Sequence, residues 1–299
     1  MRTRCDQLSF ACTMRTTQEF TAEHLNNTAA FRDPFFQRFR LRHAPRPLVL
    51  TDTITKDYLF PTLYADVRCA QGIFHCDYER AKAILPHPSM RPVRMTRGRG
   101  LVAFSCYEYR NVLNVPPYNE IAMTIPVLVD APLDIPVLPM VLSGFKGFGY
   151  YVFGMPVTSR ENQIRGRKIW GLPKLTQEID LYESNGDCVT VAKDEAGESY
   201  LEVRVPMSGK PTRFDVSMSL FSSLEGQLLE STTNFRGTFN VTKYMNQLMN
   251  KGARPDRDYL KIGSGPAAEV LRALDIEPHP FQFRYASTMN SAFDLPNGT

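Results

Sequence analysis

Short runs that mix apolar and polar positions fill the chain from about residue 58 onward. Asp66-Val-Arg-Cys-Ala-Gln-Gly-Ile-Phe-His-Cys76 has the pattern of a half-buried strand. Gly100 to Arg110, Glu120 to Val129 and Gly149 to Gly154 read the same way. Further strands are expected at Thr176 to Tyr182, Cys188 to Lys193, Ser199 to Val205 and Thr212 to Leu220, with turns at Asn185-Gly-Asp and Glu195-Ala-Gly. Helices are few. One begins at Tyr78 and is stopped by Pro86; another, Ala267 to Asp275, follows Ser264-Gly-Pro and so carries a proline in its first turn. Strands that do not alternate with helices argue against a doubly wound sheet. They predict an α+β chain that is predominantly β, a barrel or sandwich with peripheral helices.

Residues 1–57 break this pattern. They are polar, with irregularly placed aromatics such as Phe20, Phe31, Phe35, Phe36 and Phe39. An extension that packs on the core or on a partner subunit is expected there, with residues 58–299 forming one domain.

Composition narrows the function classes. The 299 residues are 43% hydrophobic and 22% charged, as in a soluble globular protein. The most apolar stretch, Ile121 to Gly154, is broken by Asp130, Asp134, Lys146 and several prolines, so no membrane span is expected, and the default is a cytoplasmic protein. A net charge of +4 gives no reason to expect nucleic acid, and the basic run Arg91 to Arg99 reads as a solvated loop. Six scattered cysteines are expected as free thiols. The five histidines are equally dispersed, and His75 beside Cys76 reads as a half-buried strand residue rather than a ligand. Neither a metal site nor a cofactor is expected.

One segment carries candidate chemistry. Gly166-Arg-Lys-Ile-Trp-Gly-Leu-Pro-Lys174 reads as a strand end or turn, and Trp170 is the only tryptophan. Lys174 sits among Ile169, Trp170, Leu172, Pro173 and Leu175. Apolar surroundings penalise the charged amine and favour the neutral, nucleophilic form. On these residues alone, Lys174 also reads as a surface lysine beside a hydrophobic turn.

The segment resembles the active-site signature of acetoacetate decarboxylases, in which Gly-Arg-Glu is followed, after a few mostly apolar residues, by Pro-Lys. Lys168 stands here where that family has the acid. Tyr118-Asn-Glu-Ile-Ala-Met-Thr-Ile-Pro-Val resembles the family segment in which an active-site glutamate precedes Pro-Val by six residues, and this places that glutamate at Glu120. Val67-Arg68 resembles the position of the family's active-site arginine, with a one-residue gap. The resemblance covers roughly residues 60 to 285.

It implies a closed β-barrel with peripheral helices, a homo-oligomer, and a small-molecule keto acid or ketone as substrate. Lys174 would form the Schiff base, Glu120 would move protons, and Arg68 would orient a carboxylate. Arg167, Trp170, Leu172, Met155 and Tyr118 would contact the substrate. Leu175 departs from the family, whose decarboxylases usually carry a second lysine at that position, so Arg167 or Lys168 would have to supply any neighbouring charge. Decarboxylation of a β-keto acid is the leading reading. An aldolase or dehydratase using the same iminium on a 2-oxo acid or larger ketone is the alternative. A barrel that binds an apolar ligand without reaction, lined by Phe145, Phe148, Tyr150, Tyr151 and Phe153, is a third.

Overall fold

A computed structural model describes residues 12–14, 23–142 and 144–297. Seven long strands form a closed barrel, numbered here in chain order: β1 (Thr62–Asp77), β2 (Arg99–Val112), β3 (Tyr118–Val129), β4 (Phe148–Val157), β5 (Lys210–Leu224), β6 (Gln227–Lys243) and β7 (Pro280–Pro296). Each strand pairs with the next, and β7 returns to β1. All pairings are antiparallel except β4 with β5, where Gly149, Tyr150 and Tyr151 face Ser219, Leu220 and Phe221 in parallel register. The chain between β4 and β5 crosses over through a helix and three strands of a second sheet, which lets the two run parallel.

That second sheet is antiparallel and comprises Cys12–Met14, Ile179–Ser184, Asp187–Lys193, Ser199–Pro206 and Leu260–Ile262. Its apolar face, with Ile179, Leu181, Cys188, Leu201, Val203 and Val205, packs on the outward residues of β1 to β3. Alternation along β3 shows how one strand serves two environments. Ile121, Met123, Ile125 and Val127 point outward into this core, while Glu120, Ala122 and Thr124 point into the barrel. Both faces of β1 to β3 are covered, so these strands, whose sequences read as half-buried, are buried along most of their length.

The expected strands are present except that Thr176 to Tyr182 is split, Lys174–Thr176 and Ile179–Ser184 lying in different sheets; Tyr78–Ala83 is helical as read, and Glu269–Ala273 is the helical part of the expected Ala267 to Asp275. β6 and β7 were not foreseen. Their sequences, such as Glu230-Ser-Thr-Thr-Asn-Phe-Arg in β6, place polar residues on both faces and lack a clean apolar period. His75 is fully buried rather than half-buried; burial pushes its pKa down to about 3, so it remains neutral. Arg99 lies in no solvated loop. It is buried, pairs with Glu277 at 3.2 Å and donates to the carbonyls of Gln247 and Leu248. The four cysteines whose side chains are described, Cys69, Cys76, Cys106 and Cys188, are free; Cys5 and the Cys12 side chain lie outside the described residues. Among the described residues no helix is long and apolar enough to cross a membrane.

The arm before β1 builds a small core of its own against the barrel. Phe31, Phe35 and Phe36 pack with Leu63, Ala65, Leu113 and Ala292. The edges of this cluster are tied by Arg38, which donates to both carboxylate oxygens of Asp215 at 2.7 Å, and by a contact of Arg236 with Asp33. Phe35→Ala removes an almost fully buried ring from this cluster, and a loss of about 3 to 5 kcal/mol is expected in urea unfolding. A loss below about 1 kcal/mol would show that the arm contributes little to the fold.

Candidate active site

The Pro-Lys segment does not end a strand. Residues Arg160–Trp170 form an α-helix whose first turn is capped by Ser159, with Oγ accepting from the Asn162 amide at 3.3 Å. It ends at Gly171, which adopts the left-handed conformation (φ 60°, ψ 20°) and lies so close to the next layer that a Cβ there would sit 2.5 Å from the Ser223 carbonyl oxygen. Two residues later the chain becomes extended, and Lys174–Thr176 adds to the edge of β4 in parallel register, with Lys174 opposite Met155. On its other side β4 pairs with β3, with Val157 opposite Glu120. These two registers bring together residues 54 positions apart in sequence.

The Lys174 Nζ donates to Glu120 Oε2 at 2.6 Å, and both side chains are buried. Tyr109 OH donates to the other carboxylate oxygen at 3.2 Å, and the amine lies 5.6 Å from the centre of the Tyr118 ring. Gly166 explains how the lysine stem fits. A methyl group at this helical position would come within 2.8 Å of both Cγ and Cε of Lys174. Only glycine lets the stem lie flat on the helix.

Burial pushes the Lys174 pKa below the ordinary lysine value. The charge of Arg165 acts in the same direction, and Glu120 opposes both through its charge and hydrogen bond without overturning the result. Arg165 is itself buried and held by Asn162 Oδ1 and Thr62 Oγ1, each at 3.0 Å, with its guanidinium 4.3 Å from the Tyr58 ring centre. Tyr109 and Tyr118 are pushed well above 10 by burial, with the Glu120 charge adding to it, so both keep their hydroxyl protons.

The pair opens into the barrel lumen, a cavity of about 120 Å³. Tyr64, Tyr107, Tyr109, Tyr150, Phe214 and Phe235 supply much of its wall. Met155 and Leu172 line it, as expected for substrate contacts. Of the five aromatics from Phe145 to Phe153, Tyr150 reaches the lumen; Phe145 and Phe148 join one core cluster, and Tyr151 and Phe153 pack outward on another.

Four expected contacts are not in the cavity wall, and one of them, Tyr118, is buried in the core beside it with its ring near the amine. Arg68 lies between Cys69 and Val67, both lumen-facing or core-facing, and alternation turns it to the outside of β1, where it pairs with Glu108 at 3.3 Å and Glu183 at 3.2 Å. Arg167 stands behind the lysine and donates to the Lys174 carbonyl at 2.6 Å. Trp170 stacks on Phe293 and donates to the Asp294 carbonyl at 2.7 Å, which anchors the helix end to β7. Neither Arg167 nor Lys168 is the cation that acts on the lysine; Lys168 is exposed and donates to the Val49 carbonyl. Leu175, alternating with Lys174, is 40% exposed on the outer side. Reading the sequence did not single out Tyr109, Arg165 or Arg284, the last of which also lines the cavity. Only the alternation of β2 carried a signal for Tyr109.

A family model described as acetoacetate decarboxylase (ADC) matches residues 46–230, more than half of the chain. The fold is similar to the crystal structure of acetoacetate decarboxylase from Legionella pneumophila subsp. pneumophila, with 15% identity, a TM-score of 0.54, and coverage of 90% of this chain and 92% of that one. A second acetoacetate decarboxylase structure matches with 14% identity and a TM-score of 0.51, covering 79% of this chain and 87% of the other. No curated protein matches the sequence. At such identities the structural likeness speaks for the fold.

The lysine's titration provides a direct check. Competitive acetylation of Lys174 followed across pH by mass spectrometry should give a midpoint below 10.5. Glu120→Gln removes the group that raises this pKa, so the midpoint should fall further; Arg165→Met removes a group that lowers it, so the midpoint should rise. A wild-type midpoint at the value of a solvated lysine would show that the amine is not desolvated in solution.

Proposed function

Taking as premise that this chain belongs to the acetoacetate decarboxylase family, we propose that it is a Schiff-base-forming lyase that decarboxylates a β-keto acid on Lys174. The observation that supports this reading is a buried lysine whose amine meets one carboxylate at 2.6 Å at an aromatic-lined barrel lumen.

The geometry gives each group a task. Glu120 takes the ammonium proton, leaving a neutral amine to attack the ketone carbon. The same carboxyl returns the proton to the carbinolamine hydroxyl, which leaves as water and yields the iminium. Cleavage of the bond to the carboxylate carbon releases carbon dioxide, and its electron pair passes into the iminium to form an enamine. Protonation at carbon and hydrolysis by water then free the ketone and the lysine. Overall, one keto-acid anion and one proton become one ketone and one carbon dioxide. Tyr109, donating to Glu120, holds the carboxyl in place.

Borohydride reduction in the presence of 3-oxo acids should place a stable adduct on Lys174, located by peptide mapping. Lys174→Ala should abolish both the adduct and carbon dioxide release, and Lys168→Ala should preserve both. Glu120→Gln should lower turnover by roughly 10²- to 10⁴-fold and slow adduct formation with it. Gly166→Ala, which displaces the lysine stem, should cost roughly 10²-fold. An equal adduct yield on Lys174→Ala would remove the basis of the proposal. Condensation of pyruvate with an aldehyde, without carbon dioxide release, would move the assignment to an aldolase.

A further inference from the structure

Three charged side chains line the lumen: Lys174, Glu120 and Arg284. The first two neutralise each other at 2.6 Å. Arg284 has no such partner. Among the described residues it forms no ion pair; its one side-chain hydrogen bond runs to Gln282 Oε1 at 3.3 Å, and its Nε is buried with no acceptor. Its guanidinium carbon lies 5.3 Å from the centre of the Phe214 ring, which also faces the cavity. A half-buried guanidinium with unfilled donor capacity facing the lumen is suited to an anion, which it binds through charge-assisted hydrogen bonds.

Register places this cation across the barrel from the amine. Arg284 on β7 pairs with Gln71 on β1, and Gln71 pairs with Ser105 on β2. These three side chains form one row of the lumen wall, and Gln71 Nε2 donates to Ser105 Oγ at 2.8 Å. β7 stands three strands from β3 by way of β1 and β2, and three from β4 by way of β5 and β6, nearly opposite in a ring of seven. The facing backbones are therefore on the order of 10 to 14 Å apart. The carboxylate of a simple β-keto acid is the one that departs, and a cation bound to it would not assist catalysis, since that group loses its negative charge as carbon dioxide forms. Glu120, next to the amine, is the better neighbour for a carboxylate that must leave.

We propose that Arg284 binds a second, retained carboxylate, so that the substrate is a short keto acid with an anionic end remote from the carbonyl, such as a 3-oxodicarboxylate. As to the substrate, this rests on the lysine chemistry proposed above; as to the anion site, it stands alone. Gln71 and Ser105 complete the polar end of the lumen, and the aromatic wall between the two ends takes the carbon chain.

Two probes separate the inference from the catalytic reading. Calorimetry compares butanoate with butanamide, which match in shape and lack a ketone. The wild type should prefer butanoate by roughly 10- to 100-fold; Arg284→Met should erase the preference and Arg284→Lys should keep part of it. Borohydride trapping on Lys174 compares 4-oxopentanoate with 2-pentanone, and the wild-type ratio in favour of the acid should collapse toward one in Arg284→Met. Equal wild-type affinity for butanoate and butanamide, or a preference that survives in Arg284→Met, overturns the anion site. If Arg284→Met does not fold, the wild-type comparison and Arg284→Lys decide. An Arg284-dependent preference for butanoate with no adduct from either ketone upholds the anion site and sinks the lysine chemistry instead.

Discussion

A lysine amine held out of water against a single carboxylate is the constraint around which this molecule is arranged. Removing both charges from solvent costs several kcal/mol per ion, and the attraction between them offsets that cost only with good geometry and further hydrogen bonds. Arg165 opposes a positive charge on Lys174 and so acts with burial to lower its pKa. Asn162 and Thr62 accept from the two terminal nitrogens of Arg165 and the Tyr58 ring covers its face, while its Nε is buried without an acceptor. The helix that carries Arg165 also carries Gly166, so one element supplies both the charge that tunes the amine and the flat surface on which its stem rests.

The arm before the barrel belongs to the same construction. Glu161, in the first turn of that helix, is buried where it accepts from Tyr58 OH at 2.6 Å and pairs with Lys56 Nζ at 3.2 Å. Lys56 and Tyr58 lie on the arm side of β1, in a stretch whose sequence marks it only as polar. A buried glutamate needs such partners, because an unpaired charge out of water is costly. The segment before the barrel thus fixes the orientation of the helix on which Lys174 lies.

How far the sequence could be read depended on what each element faces. β3 was legible because one side meets a purely apolar core and the other meets the lumen, so Glu120 falls on the polar side of a regular alternation. The helix Arg160–Trp170 was not, because Glu161, Asn162, Gln163 and Arg165 are all buried and polar. Hydrophobic periodicity vanishes when a helix packs through hydrogen bonds, and the remaining signals, Ser159 before it and Gly171 after it, are weak alone. Arg68 was misplaced for a related reason: a gapped alignment fixes a residue's neighbourhood but not its side of a strand, and one position reverses the face. Arg284 lay in a strand whose mixed polarity had concealed the strand itself.

The same division of faces explains how a functional interior can be this polar. The outward sides of β1 to β3 and the second sheet bury a large apolar surface between them. The lumen is thereby relieved of being the sole core, although Tyr64, Tyr109, Phe239 and Met289 in its wall also join an apolar cluster. It can hold tyrosine hydroxyls, Ser105, Gln71, Thr124 and three charged groups without the fold depending on each of them. Replacing the lumen residues should therefore alter which ligand is accepted more readily than it alters stability, whereas the helix beneath Lys174 has no such freedom, because its polar residues are both the packing and the chemistry.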